Sequence, residues 1–207
     1  MGFYSRNVFP RLMDWALGAA RLQQERRTAL APVRGDVLEI GFGTGLNLGC
    51  YPPGVTRLVA IDEADLLPAR VAQRVAAAPF PVERTRLDAE RLPFPDARFD
   101  CAVSTWTLCS IPDAVAALRE LRRVLRPGGL YVFLEHGRSD DPRVARRQDR
   151  FNPIQRWVGC GCNINRPIDR LVGDAGFEIG RLERYVRAGE PRILAEMYRG
   201  TASPRAS

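Results

Sequence analysis

The chain contains no lysine: all 31 of its basic residues are arginine, set against 24 acidic residues for a net charge of +7. A basic balance of this kind suits an anionic substrate, a membrane surface or nucleic acid. The arginines are spread through the whole sequence, however, and a solvated basic surface accounts for them equally well. There is one histidine, His136, so imidazole chemistry anywhere in the molecule rests on that residue. No apolar run approaches the ~20 residues needed to span a bilayer, and no signal-peptide pattern opens the sequence; the expectation is a cytoplasmic protein. Five cysteines, an odd and scattered number, argue for free thiols rather than a disulfide framework. Cys160 and Cys162 are neighbours, but the cysteines and the single histidine lack the spacing of a four-ligand zinc site, so no metal is expected. Internal repeats and low-complexity segments are also missing. At 207 residues the chain suffices for one α/β domain with a substantial core and is too short for two.

The most informative stretch reads Val37-Leu-Glu-Ile-Gly-Phe-Gly-Thr-Gly45. A short apolar strand runs into glycines at alternate positions, where the backbone can turn tightly and a ligand can approach without meeting a Cβ. Gly41, Gly43 and Gly45 form G-x-G-x-G, whereas a dinucleotide fingerprint needs its third glycine one residue later, at Leu46. Glu39, two residues before the first glycine, would repel a pyrophosphate and attract a cation. Both features count against an NAD-dependent dehydrogenase.

Around this loop the pattern alternates. Residues 4–30 read as one or two helices with an apolar stripe of Phe9, Leu12, Met13, Trp15, Ala16, Leu17 and Ala20, either packed on the sheet or forming a lid or lipid-facing surface. Strands are expected at 37–40, 58–61, 82–86, 101–104 and 130–134, and helices at 46–50, 66–78 and 112–125. This β-α alternation argues for a parallel, doubly wound sheet with helices on both faces. Residues 137–170, with eight arginines and four aspartates, break the rhythm and read as an irregular helical cap. A helix ending at Gly176 and a terminal strand pair at 178–185 and 192–198 follow. The expected organisation is a helical lid over 1–34, a main domain over 35–200 and a loose tail over 201–207.

Open α/β sheets bind ligands at the carboxyl ends of their strands. Asp62 ends the second strand, where a carboxylate can accept both ribose hydroxyls or cap the next helix. Asp88, with Ala89 beside it, follows the third strand, where an acid can meet an adenine amino group or close a surface turn. Thr105 at the end of the fourth strand completes the candidate cofactor contacts. Glu39, Asp62 and Asp88 together point to an adenosine-containing ligand with a positive or zwitterionic end and no phosphate. S-adenosylmethionine fits, with its carboxylate directed to the N-terminus of the helix after the loop.

The glycine loop, Asp62, Leu87-Asp-Ala-Glu-Arg-Leu-Pro-Phe94, Phe99-Asp100 and Leu125-Arg-Pro-Gly-Gly129 resemble, in order, the motifs of class I S-adenosylmethionine-dependent methyltransferases. The resemblance covers roughly residues 35–135 and implies a Rossmann-like, seven-stranded sheet, mostly parallel, with one antiparallel strand. Tyr51-Pro52-Pro53-Gly54, Thr107-Leu108-Cys109-Ser110, Glu135-His136 and Gly161-Cys162-Asn163 further resemble the methyltransferase-like alkyl-thiol S-methyltransferases and their bacterial relatives. Mammalian members of that group carry an N-terminal membrane-anchoring segment for which this sequence has no expected counterpart.

Methyl transfer is an in-line displacement that depends first on holding nucleophile and methyl aligned. A thiol needs little help to ionise, whereas a hydroxyl or carbon acid needs a base. His136, at the end of the fifth strand, is the candidate base or substrate-orienting group, against a reading in which its imidazole only hydrogen-bonds the cap. Glu135 is a candidate to orient it. Trp106, Cys162 and Asn163 are the candidate substrate residues, and the cap aromatics Phe151 and Trp157 form with Trp106 either a pocket for a small, partly apolar molecule or part of the core. The fourth strand ends in Ser104-Thr105-Trp106-Thr107, without the Asn/Asp-Pro-Pro-aromatic motif of nucleic-acid amino methylation, and the chain has no Pro-Cys nucleophile of cytosine methylation. The expected acceptor is therefore a small molecule, first a thiol or sulfide, then a quinone or phospholipid with peripheral membrane contact. A non-catalytic or nucleic-acid-binding protein on the same fold is the reading from a different class.

Overall fold

The computed structural model describes Tyr4 and residues 8–205. The first residues of the expected N-terminal segment and the last two of the expected tail lie outside the described residues. Helices α1 (Phe9–Leu17) and α2 (Ala20–Leu30) precede β1 (Gly35–Ile40), a 3-10 turn (Leu48–Cys50), β2 (Val55–Asp62), α3 (Pro68–Ala76), β3 (Val82–Arg86) and β4 (Phe99–Thr105). Then come α4 (Ala114–Val124), β5 (Leu125–His136), α5 (Pro142–Val158), α6 (Ile168–Asp174), β6 (Phe177–Val186) and β7 (Glu196–Pro204). The seven strands lie in the order β3-β2-β1-β4-β5-β7-β6. β7 runs antiparallel to both β5 and β6, and the pairs among β1 to β5 are parallel.

Residues alternate between the two faces because successive strand side chains point oppositely. Leu38, Ile40, Val59, Ile61, Ala102, Tyr131 and Phe133 pack with Leu118 and Leu121 of α4 and Val172 of α6. Val37, Leu58, Ala60, Cys101, Val103 and Val132 pack on the other face with Leu30 of α2 and Val71 of α3. α2 is thus part of the core rather than of a separate N-terminal lid. Asp113 caps α4 by accepting the Ala116 N–H at 2.9 Å, and Asp141 caps α5 by accepting the Arg143 N–H at 2.8 Å, with Pro142 in the first turn.

Four expectations are corrected. The helix expected at 46–50 is one 3-10 turn, because Pro52 and Pro53 follow at once and leave no room for a second turn. β5 begins at Leu125 and carries Gly128 and Gly129 within the strand, with a register shift opposite Phe99 and Cys101. The cap contains a regular 17-residue helix, α5, despite its interior Pro153. Residues 201–204 are not a tail: β7 extends to Pro204, pairs with Phe177 and buries Ala202. Its start moves to Glu196, because residues 191–194 form a turn closed by the Leu194 N–H on the Pro191 carbonyl.

Candidate active site

Gly41, Gly43 and Gly45 all have left-handed backbones, with φ of +69°, +58° and +79°. A Cβ on Gly41 would lie 2.1 Å from Thr107 Oγ1, so the loop presses directly against the segment after β4. A Cβ on Gly43 would meet nothing nearer than the Gly41 carbonyl at 3.9 Å; its free side is open cleft. Asp62 fixes this strand of the loop to the end of β2, its Oδ2 accepting the Gly43 N–H at 2.8 Å and its Oδ1 the Ala64 N–H at 2.9 Å. Burial pushes the Asp62 carboxyl up, against those two amides, which hold it down.

Glu39 is 1% exposed. Its Oε1 accepts the Asn47 side-chain amide at 2.8 Å and its Oε2 the Tyr51 hydroxyl at 2.7 Å. Burial raises its pKa to about 7, although Tyr51 and Asn47 favour the ionised form. Asn47 also reaches Thr105 Oγ1 at 3.0 Å and accepts Arg26 Nε at 3.0 Å. Arg26, itself buried and lowered to about 10 by that burial, stacks its guanidinium 4.5 Å from the Trp106 ring centroid. An acid and a guanidinium therefore face the same small space. With no α-helix after the loop, the expected helix N-terminus for a carboxylate is missing, and Arg26 is the cationic group in its place.

Asp14 of α1 ties the N-terminal segment to this loop. It accepts the Thr44 hydroxyl at 2.5 Å and Arg74 Nη1 at 2.6 Å, and it pairs with Arg70. Burial opposes its charge, but hydrogen bonds from Arg74, Thr44 and Arg70 hold its pKa down to about 2. Phe9, Pro10, Met13 and Leu17 of α1 consequently border the cleft. The cleft comprises a cavity of about 130 Å³ over Arg26, Glu39, Asn47 and Thr105, and one of about 370 Å³ over Asp62, Glu63, Leu87 and Ala89. Phe9, Pro10, Gly41, Gly43, Leu66 and Trp106 belong to both. A larger groove of about 670 Å³ lies behind the loop, among Trp15, Gln23, Gly45 and Arg74, and contains neither Glu39 nor Asp62.

Of the expected cofactor residues, Glu39, Gly41, Gly43, Asp62, Ala89 and Thr105 line the cleft; Gly45 lies behind the loop. Asp88 is at the rim, where its Oδ1 accepts the Glu90 N–H at 2.8 Å: it closes its own turn. Trp106 borders the cleft with φ of +50°, unusual for a bulky side chain and held by its N–H bond to the Leu134 carbonyl at 2.9 Å. Glu135 is fully buried and accepts the Ser104 hydroxyl at 2.7 Å and the Thr107 N–H at 2.8 Å. Burial raises it to about 7, against the Ser104, Leu108 and Thr107 donors. It braces the turn after β4 and lines neither cavity. His136 does not line them either: its Nε2 lies 3.2 Å from Cys162 Sγ. Asn163 donates to the Cys109 and Gly161 carbonyls at 2.9 and 3.0 Å and accepts from Asn152, so it staples the cap to the sheet. Phe151 and Trp157 are exposed on α5, correcting their expected place in the pocket. Among the residues the sequence did not single out, Arg26, Asp14 and Asn47 matter most. Asn47 alone carried a local signal, as a polar residue two positions past Gly45.

The chain matches the methyltransferase domain family over residues 38–133. It is 31% identical over 173 residues to the phosphatidylethanolamine N-methyltransferase of Cereibacter sphaeroides, covering 81% of this chain and 83% of that one. It is likewise 31% identical over 193 residues to the human thiol S-methyltransferase TMT1A, covering 88% of this chain and 71% of the other. Its fold superposes with a TM-score of 0.66 on the Burkholderia thailandensis 1,6-didemethyltoxoflavin-N1-methyltransferase, at 19% identity over 93% of this chain and 81% of that one. The left-handed glycines, the open side of Gly43 and the Glu39–Arg26 end of the cleft fit a zwitterionic adenosyl cofactor. The chain belongs to the class I S-adenosylmethionine-dependent methyltransferases, and S-adenosylmethionine is its cofactor.

Proposed function

We propose that this enzyme methylates a small-molecule thiol or sulfide on sulfur. The observation that carries this reading is the lining of the larger cavity. It is bordered by Phe9, Pro10, Leu66, Leu87, Trp106, Ile111, Pro112, the Thr107 and Ser110 hydroxyls and the Cys160 thiol; among the described lining residues there is no imidazole or amine, and of the two carboxylates Asp62 is engaged by the Gly43 and Ala64 N–H groups, which leaves Glu63. A hydroxyl or carbon acceptor needs a base there, whereas a thiol ionises close to neutral pH. The likeness to the human thiol S-methyltransferase supports the same reading.

When bound, the cofactor supplies a methyl group on a cationic sulfur that a thiolate displaces in line. Glu39 would hold its positive end, Arg26 its carboxylate and Asp62 its ribose hydroxyls. α1, pinned through Asp14, acts as the lid that keeps water from the reacting atoms. Trp106 forms the wall against which the acceptor lies. His136 is a positioning residue: through Cys162 it sets the loop that carries Cys160 into the cavity.

A second acceptor class, a phospholipid amine or quinone taken from a membrane surface, is supported by the likeness to the Cereibacter sphaeroides phosphatidylethanolamine N-methyltransferase and by one structural observation. Trp15 and Trp157 are 78% and 83% exposed, and Leu12 and Ile154 are exposed beside them in sequence. The Tyr4 hydroxyl donates to the Val158 carbonyl at 3.2 Å, which sets Tyr4 at the end of α5, whose Arg146, Arg147 and Arg150 are exposed. Such a surface suits an anionic bilayer. Among the described residues no helix is long and apolar enough to cross one. A product assay with and without anionic phospholipid vesicles separates the readings: thiol methylation indifferent to vesicles supports the first, and turnover only of vesicle-borne acceptors supports the second.

A further inference from the structure

The three side chains Cys109, His136 and Cys162 are far apart in sequence and come from the turn after β4, the end of β5 and the loop after α5. Their donor atoms lie within 4.8 Å of one another, and among the described residues no other group of three such side chains converges in this way. The geometry points to a binding site for one thiophilic divalent metal ion of the zinc class, held by Cys109 Sγ, Cys162 Sγ and His136 Nε2. Tetrahedral zinc with its usual bond lengths sets neighbouring donors about 3.5–3.8 Å apart. The His136–Cys162 pair, at 3.2 Å, needs to open slightly, and the remaining separations need to contract by about 1.3 Å at most.

The backbone that carries these donors is already fixed. The N–H and side-chain amide of Asn163 both donate to the Cys109 carbonyl at 2.9 Å, and the Asn152 side-chain oxygen Oδ1 accepts the Ile164 N–H at 2.9 Å. Two thiolates and a neutral imidazole balance a divalent charge. The nearby charged groups are occupied elsewhere. Glu135 is committed to Ser104 and Thr107, and Arg166 donates to the carbonyls of Leu108, Ile111 and Pro112. Glu135 therefore does not supply a fourth ligand. That position falls to water or to the Ser110 hydroxyl, whose oxygen is 3.5 Å from Cys109 Sγ. Such an ion would clamp the cap to the carboxyl edge of the sheet beside the acceptor cavity. The site does not depend on which acceptor is methylated.

The test uses the reduced, chelator-treated full chain titrated with Co²⁺ and then Zn²⁺. The expected result is one Co²⁺ per chain, with thiolate-to-cobalt charge-transfer absorption and intense tetrahedral ligand-field bands that one equivalent of Zn²⁺ abolishes. Cys109→Ser, Cys162→Ser and His136→Ala should each weaken binding at least about a hundredfold, while Cys50→Ser and Cys101→Ser leave it unchanged. Because a buried variant can misfold, the wild-type spectrum decides independently: no thiolate charge transfer with Co²⁺ overturns the proposal. Binding that survives Cys109→Ser and Cys162→Ser but disappears in Cys160→Ser overturns it as well. So does a wild-type chain that takes up no metal and is instead oxidised by hydrogen peroxide to a Cys109–Cys162 disulfide.

Discussion

The side-chain amide of Asn47 donates to Glu39 at 2.8 Å while its carbonyl oxygen accepts from Arg26 at 3.0 Å, so one neutral residue holds a buried acid and a buried guanidinium apart at the end of the cleft. Glu39, raised to about 7 by burial, must be ionised to meet a cation. Binding of S-adenosylmethionine should therefore strengthen as pH rises from 6 to 8. Glu39→Gln should weaken it by about 1.5–3 kcal/mol and remove the pH dependence. Calorimetric titrations at three pH values check this, and a wild-type affinity flat across that range would contradict the assignment. The same shift has a stability consequence of opposite sign. The unfolded chain releases this proton near 4.5 and the folded one near 7, so the cofactor-free protein should lose stability as pH rises through that window, less steeply in Glu39→Gln.

Asp14 is the converse case. Its pKa is held near 2, so its contribution is complete above about 4 and is lost as pH falls toward 2. Asp14→Asn removes the carboxylate shared by Arg74 and Arg70, leaving Arg74 only the Thr44 carbonyl, and should cost about 3 kcal/mol in denaturant unfolding above pH 5. It should also speed cofactor dissociation in stopped-flow measurements, because α1 loses its hold on Thr44. An unchanged off-rate would remove the lid role of α1.

Two glycine substitutions should separate folding from binding. Gly41→Ala drives a methyl into Thr107 from a left-handed backbone and should destabilise the fold by about 2–4 kcal/mol. Gly43→Ala meets no neighbour and should cost only the left-handed penalty of about 1–2 kcal/mol, yet it fills cleft space and should abolish tight cofactor binding. Melting temperatures and affinities measured on both variants test the contrast. Equal affinity in Gly43→Ala and wild type would move the cofactor away from this loop.

His136→Ala should lower kcat with a thiol acceptor at least about tenfold and raise the acceptor KM while leaving S-adenosylmethionine affinity unchanged. A positioning role also predicts that the pH–rate profile keeps its shape. Loss of its acidic limb would instead make His136 the base.

The fold was legible because strand alternation and the glycine loop are local signals: the pleat and the left-handed turns are imposed by adjacent residues. What failed was local in another way. Pro52 and Pro53 cut short a helix that the apolar pattern of 46–50 allowed, and β7 ran on because Ala202 finds a place in the core. The site was half readable. Glu39, Gly41, Gly43, Asp62 and Thr105 sit at strand ends that the topology sends to one edge. Arg26 and Asp14 reach the same point from helices whose approach no sequence pattern encodes. Glu135 and His136 do lie at the end of a strand, but sequence position does not reveal which way a side chain turns. Here they contact Ser104, Thr107 and Cys162 rather than the cavity. Cys109, His136 and Cys162 show no ligand spacing, because only the folded sheet edge brings them together.

The most direct measurement is a mass-spectrometric product assay in which the full chain and S-adenosylmethionine meet a panel of small thiols, quinols and phospholipids. S-methylated thiols should form in step with S-adenosylhomocysteine, without need of lipid. Turnover of a quinol or phospholipid with no thiol methylated above background would contradict this.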